Sequence, residues 1–225
     1  MRRFTLESVE WLLAQDVKML VLACNTATAQ ALDLVRERST VPVVGVVRPG
    51  AVAAAAATRS GEVAVIATAG TVQSGAYPEA IVEAAPAVNV TQRACPELVP
   101  MVEAGILDGP DAEGVLRGYL DPLLAEAPGV DTLLLGCTHY PLLRPVIEGI
   151  VGDRVAVVDS AFTTALAVED LLDALGSRAP SDGGPSHRVA TTGDVGAFLV
   201  VASALFGERL PEVEAARVEP AAPFA

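Results

Sequence analysis

The chain has 225 residues, 52% of them apolar, and a formal charge of 15 − 28 = −13. That length and apolar content suit a globular protein with one generous core or two small ones. With Lys18 the single lysine and the arginines scattered, the surface is a poor match for nucleic acid. The start, MRRFTLESVEW, meets Glu7 and Glu10 before any apolar run long enough for a signal peptide. No later run reaches the roughly 18 to 20 residues of a membrane helix, which predicts a cytoplasmic protein without membrane contact. Three cysteines, far apart and without CxxC spacing, predict free thiols rather than a disulfide framework or a structural metal site.

In chain order, Leu6, Val9, Leu12 and Leu13 fall at helical spacing over 6–15, and Met19 to Ala23 form a short apolar run typical of a buried parallel strand. Ala29 to Glu37 then reads as helix, 41–47 as strand, Ala51 to Thr58 as helix and Glu62 to Ala67 as strand. A helix is predicted near 74–84, a strand near Val88 to Arg93, and helices near 97–105 and 111–126. Strand Thr132 to Gly136, helix Arg144 to Ile150, strand Val155 to Val158 and helix Thr163 to Leu175 complete the alternation. This pattern predicts an α/β fold with mostly parallel sheets. The Gly/Pro/Ser-rich segment 176–186 and the tail 219–225 read as loops, with a last strand in RVATTGD and a helix over Val195 to Phe206 between them.

Two stretches echo one another. Val17, Leu20, Leu22, Ala23 and Cys24 align with Val130, Leu133, Leu135, Gly136 and Cys137, each a strand that ends in a thiol and leads to a helix. Ligands of open α/β sheets sit outside the carboxyl ends of the strands, where helix N-termini offer free N–H groups. A thiol there is expected to have a lowered pKa. Asn25, Thr26, Thr138 and nearby amides could hold an anion without lysines, and Pro141 suits the first turn of the following helix. His139, two residues after Cys137, is a candidate for the same site, whereas Cys95 lacks a polar setting and is assigned to structure. A nucleophilic Cys–His enzyme would leave the second thiol idle. Two thiols acting as acid and base on opposite faces of one carbon would instead racemise it, with no cofactor.

The segments ACNTAT, CPELVPMVEAG, GCTHYP and TTGD together resemble the bacterial glutamate racemases of the aspartate/glutamate racemase family. The resemblance runs over essentially the whole chain. It implies two pseudo-symmetric α/β domains with the site in the cleft between them: residues 1–46 with 160–225 as the first, and 47–159 as the second. It further implies conversion of L-glutamate to D-glutamate for peptidoglycan, with Cys24 acting on D-glutamate and Cys137 on L-glutamate. Asn25, Thr26, Thr138 and His139 would bind substrate, His139 would assist Cys137, and Glu103 would orient His139. Thr68 and Thr71 are expected as further carboxylate donors. Glutamate is the expected small-molecule partner and a homodimer the candidate assembly. Because the surface is acidic, local amides and hydroxyls must outweigh the global field.

The family pattern opens with an Asp-Ser-Gly segment and then a Tyr-Gly segment, neither of which is present. The counterpart would be a β-α-β unit of roughly 40 residues. This leaves two expectations, a longer protein with an earlier start, which the intact later motifs favour, or a truncated chain with an incomplete pocket and an exposed sheet edge. Racemisation of another small acid such as aspartate, and an inactive binding protein, stand as the competing readings.

Overall fold

A computed structural model describes residues 1–180, 184, 186–206 and 212–218. The chain begins with α1 (Arg2–Leu13), β1 (Leu20–Leu22), α2 (Asn25–Arg38) and β2 (Val43–Gly45). β1 and β2 pair in parallel, Leu20 opposite Val43 and Leu22 opposite Gly45. Leu20 and Leu22 are buried against Leu6 and Val9 of α1 and Ala31 and Val35 of α2, while Val21 on the other face is 44% exposed. One covered face explains the alternation, because successive strand side chains point to opposite sides.

The chain continues through α3 (Val47–Ala57), β3 (Glu62–Ala67), α4 (Ala69–Ser74), α5 (Ala76–Ala84), β4 (Asn89–Ala94), α6 (Leu98–Glu103) and α7 (Gly109–Glu126). Then come β5 (Thr132–Gly136), a 3₁₀ turn (Tyr140–Leu143), α8 (Arg144–Val151), β6 (Ala156–Asp159) and α9 (Ala161–Ala174). β3 to β6 form one parallel sheet in the order β4-β3-β5-β6. Every residue of β5 and all but the first of β3 is buried, as expected of strands with helices on both faces. Val63, Val65, Ala67 and Leu134 pack with Val47, Ala51 and Ala54 of α3 and with Tyr77 and Ile81 of α5. Ala64, Ile66, Leu133 and Leu135 face the opposite layer, formed by α6, α7, the 3₁₀ turn and α8. Ala67 lies opposite Gly136 in the register, so Thr68 and Cys137 both leave the same carboxyl edge of the sheet.

β7 (Val189–Thr191), α10 (Val195–Phe206) and β8 (Val213–Ala215) close the described chain, with β7 and β8 paired in parallel. Some details depart from the sequence expectation. The helix expected near 74–84 is α5, and a further short helix, α4, precedes it, the two separated by Gly75, whose φ of +71° is the left-handed conformation that ends α4. Pro141 falls in the 3₁₀ turn, one turn ahead of α8. β8 has no counterpart in the sequence reading. The loop expected over 176–186 is described only in part, and the tail 219–225 lies outside the described residues. Among the described residues no helix is long and apolar enough to cross a membrane.

Candidate active site

The first thiol stands where β1 ends and α2 begins. Cys24 is the N-cap residue of α2 and is exposed, its carbonyl accepting the first intrahelical hydrogen bond from Thr28 N at 2.9 Å. Thr28 anchors this junction: its hydroxyl donates to Leu22 O at 2.9 Å and accepts from Val46 N at 3.3 Å. No acidic residue occupies the first turn of α2, so the positive end of the helix dipole is left for a ligand. Cys24 borders a cavity of about 260 Å³ walled by Phe4, Val9, Leu20, Leu22 and Ala27. A larger cavity, about 690 Å³, is lined by Val43, Arg48, Val52 and Leu166 and includes none of the residues expected in the site.

Asn25 is 2% exposed, and its Oδ1 accepts a hydrogen bond from the Tyr77 hydroxyl at 2.5 Å. Thr26 reaches across to the β3–α4 junction. Its hydroxyl lies 2.8 Å from that of Thr68 and 3.0 Å from that of Thr71, and those two are 3.1 Å apart. Thr68 caps α4 by accepting from Thr71 N. Three hydroxyls in a triangle carry three protons among three mutual contacts, so any of them can turn a donor toward an anion while its neighbours stay paired. Thr26 and Thr68 are half-buried and suited to that role, whereas Thr71 is fully buried with its hydroxyl engaged by the other two.

The second thiol follows β5 directly. Cys137 is only 6% exposed, with its Sγ 3.8 Å from Nδ1 of His139. On the other side of the imidazole, Nε2 lies 3.3 Å from Oε1 of Glu103, the last residue of α6. The three residues thus form a chain from thiol to ring to carboxylate. Burial pushes the Cys137 thiol up, and the charge of Cys24 adds to that shift; the backbone N–H groups of His139 and Tyr140 oppose it by stabilising the thiolate. This corrects the expectation of a lowered pKa at this strand end: the helix-start amides are present, but loss of water outweighs them. Thr138, between Cys137 and His139, is exposed.

The expected residues therefore gather as two groups, Cys24 with Asn25, Thr26, Thr68 and Thr71, and Cys137 with His139 and Glu103. Cys95 lies in the core, fully buried, and the Tyr140 hydroxyl donates to its carbonyl at 2.9 Å. Tyr77 is the neighbour the sequence did not reveal. Its hydroxyl holds Asn25, and its ring lies so close to Gly136 that a Cβ there would come within 2.9 Å of Cε2. Only its apolar spacing in α5 was visible, and that reads equally well as core. Among the described residues, no three His, Cys, Asp or Glu side chains gather as a metal site.

The chain is similar to known proteins over most of its length. The chain is 44% identical over 207 residues to the glutamate racemase of Oceanobacillus iheyensis, an alignment covering 92% of this chain and 75% of that protein. The crystal structure of a glutamate racemase from Bacillus anthracis superposes with a TM-score of 0.88 at 38% identity, covering 97% of this chain and 80% of that one. The glutamate racemase of Francisella tularensis, solved in complex with D-glutamate, gives a TM-score of 0.87 at 28% identity over 96% of this chain and 80% of that one. The Asp/Glu/hydantoin racemase family model matches residues 3–169. The chain belongs to the Asp/Glu/hydantoin racemase family.

Proposed function

We propose that the chain interconverts L- and D-glutamate by a two-thiol acid–base reaction without a cofactor. The observation that carries this reading is that two thiols from separate sheets stand at adjoining strand ends: Thr26, two residues after Cys24, bonds Thr68 at 2.8 Å where β3 ends, and there Ala67 lies opposite Gly136, the residue before Cys137. Each follows a strand and precedes helical backbone, where donors accumulate. In the L-to-D direction the Cys137 thiolate takes the Cα proton, and the electron pair left on carbon delocalises into the adjacent carboxylate. The Cys24 thiol delivers its proton to the opposite face, leaving Cys137 protonated and Cys24 ionised. The reverse reaction exchanges these roles.

His139, between Cys137 and Glu103, is suited to share the proton of the buried thiol. The carboxylates of glutamate require donors, which Asn25 Nδ2, the Thr26 and Thr68 hydroxyls and the first-turn amides of α2 supply, with Thr71 bracing the hydroxyl triangle and Thr138 lying beside Cys137. Such a site needs no lysine. The same reading divides the chain into 1–46 with 160–225 and 47–159, supported by the separation of the β1–β2 pair from the four-stranded sheet. The D-glutamate formed would serve peptidoglycan synthesis. Circular dichroism of L-glutamate incubated with the chain tests the activity directly. The signal should decay toward zero with L-glutamate and much more slowly with L-aspartate; a preference for aspartate, or no decay with either, would overturn the assignment.

A further inference from the structure

We infer that Tyr77 is a positioning residue that locks the two thiol-bearing junctions into one register, acting on substrate through Asn25. The inference rests on the racemase reading for its kinetic consequences, but its structural basis stands apart from it. Tyr77 is fully buried in the second position of α5. It touches both half-sites, each one residue from its cysteine. Its hydroxyl donates to Oδ1 of Asn25, the residue after Cys24, at 2.5 Å. Its ring occupies the space that a side chain on Gly136, the residue before Cys137, would fill.

The phenol is also held from a third direction. Ser160, at the start of α9, and Gly50 of α3 crowd the same hydroxyl: a Cβ on Gly50 would come within 3.2 Å of it and 3.0 Å of Ser160 Cβ. With its single proton given to Asn25 and its ring packed against Gly136, the phenol has little room to turn.

The consequence falls on the Asn25 amide. A carboxamide turned over by 180° exchanges oxygen for nitrogen, and only a donor on one side decides which end faces the other way. Because Tyr77 donates, Oδ1 is committed inward and Nδ2 is left as a donor for an anion beside Cys24. Phenylalanine at position 77 keeps the ring and its packing on Gly136 but removes this decision. Asn25, at 2% exposure, would then have a buried acceptor without its donor and would rotate or flip to find one.

Two measurements test the inference. The first is independent of turnover: the Asn25 side-chain amide resonances, assigned by their loss in Asn25→Ala, should shift and exchange faster with solvent in Tyr77→Phe. Unchanged resonances overturn the inference, whether or not the chain racemises glutamate. The second is a double-mutant cycle. Tyr77→Phe should raise KM for both enantiomers about 10-fold with little change in kcat, as expected for one lost ligand-orienting hydrogen bond, and should cost under about 2-fold when Asn25 is already alanine. An equal cost in both backgrounds would show that Tyr77 merely stabilises the fold. If Tyr77→Phe does not fold, Gly50→Ala crowds the hydroxyl with the ring intact and should give the same Asn25 signature; undisturbed Asn25 resonances in that variant overturn the inference. Failure of the unmodified chain to racemise glutamate would count against the function and leave the resonance result to decide the role of Tyr77.

Discussion

The two thiol junctions share a plan and differ in setting. Cys24 follows β1, a strand with one covered face, and is exposed at the head of a 14-residue helix. Cys137 follows β5, an interior strand flanked by β3 and β6 and buried along its length, and is itself nearly inaccessible. The same backbone device therefore works against different desolvation costs. Where water is excluded, the charged thiolate is penalised, and the chain answers with two backbone N–H groups and with a histidine braced by Glu103. Where water has access, no imidazole stands beside the thiol in sequence; its place is taken by Thr26, tied to Thr68 and Thr71. The two junctions thus share a backbone plan and differ in the groups that stand beside the thiol.

The largest test of this contrast removes the thiols themselves. Cys24→Ser and Cys137→Ser should each lower kcat on the order of 10³-fold, because the hydroxyl is far less acidic, while far-ultraviolet circular dichroism stays unchanged. Cys95→Ser should retain most activity, since Cys95 belongs to the core. Equal losses at all three positions would mean that folding rather than acid–base chemistry was lost.

Next in size is His139→Asn, with an expected loss on the order of 10²-fold in L-to-D kcat. Mirror symmetry fixes the equilibrium constant at unity, so kcat/KM must fall equally in both directions. The asymmetry can therefore appear only in kcat and KM taken separately. Slower L-to-D than D-to-L turnover would place the histidine with Cys137, and unchanged kcat in both directions would reduce it to a structural residue.

Thr26→Val should act more mildly. It opens the hydroxyl triangle and removes one donor, which should raise KM about 10-fold for both enantiomers with kcat changed less. A larger effect on kcat in one direction only would tie Thr26 to a particular thiol instead of to substrate carboxylate.

The smallest effect concerns stability in alkali. Burial holds Cys137 above its ordinary 9.0 and pushes Cys95 up to about 12. The folded chain therefore keeps these protons at pH values where the unfolded chain has lost them. The stability they contribute is complete below about pH 9 and is lost as pH rises through the folded value. Cys95→Ala and Cys137→Ala should each flatten the fall of Tm above pH 9, at some cost in Tm at neutral pH. An alkaline arm unchanged by Cys137→Ala would remove burial as the distinction between the two junctions.

Much of this was legible in the residues. β3 and β5 have the bounds their apolar runs predict, because strands buried on both faces need no alternation and end where the first polar or glycine residue appears. Cys137, His139 and Glu103, singled out in the sequence, lie together with contacts of 3.8 and 3.3 Å. What escaped depends on tertiary environment. α4 is a six-residue helix ended by Gly75 through a backbone angle that sequence does not display, and β8 is a three-residue segment whose partner strand alone defines it. The raised pKa of Cys137 comes from covering layers contributed by distant helices. Tyr77 looks like an ordinary core aromatic until Asn25 and Gly136 are brought to it from 52 residues before and from the far end of β5.

The central claim is that one thiol removes the Cα proton and the other returns a proton to the opposite face. It is tested most directly by following L-glutamate in deuterated water at low conversion. Cys24 exchanges its own proton with solvent, so nearly every molecule of D-glutamate formed should carry deuterium at Cα while the remaining L-glutamate carries almost none. Protium retained in the D-glutamate, or deuterium appearing equally in both enantiomers from the first turnovers, would reveal a single base serving both faces and would contradict the two-thiol account.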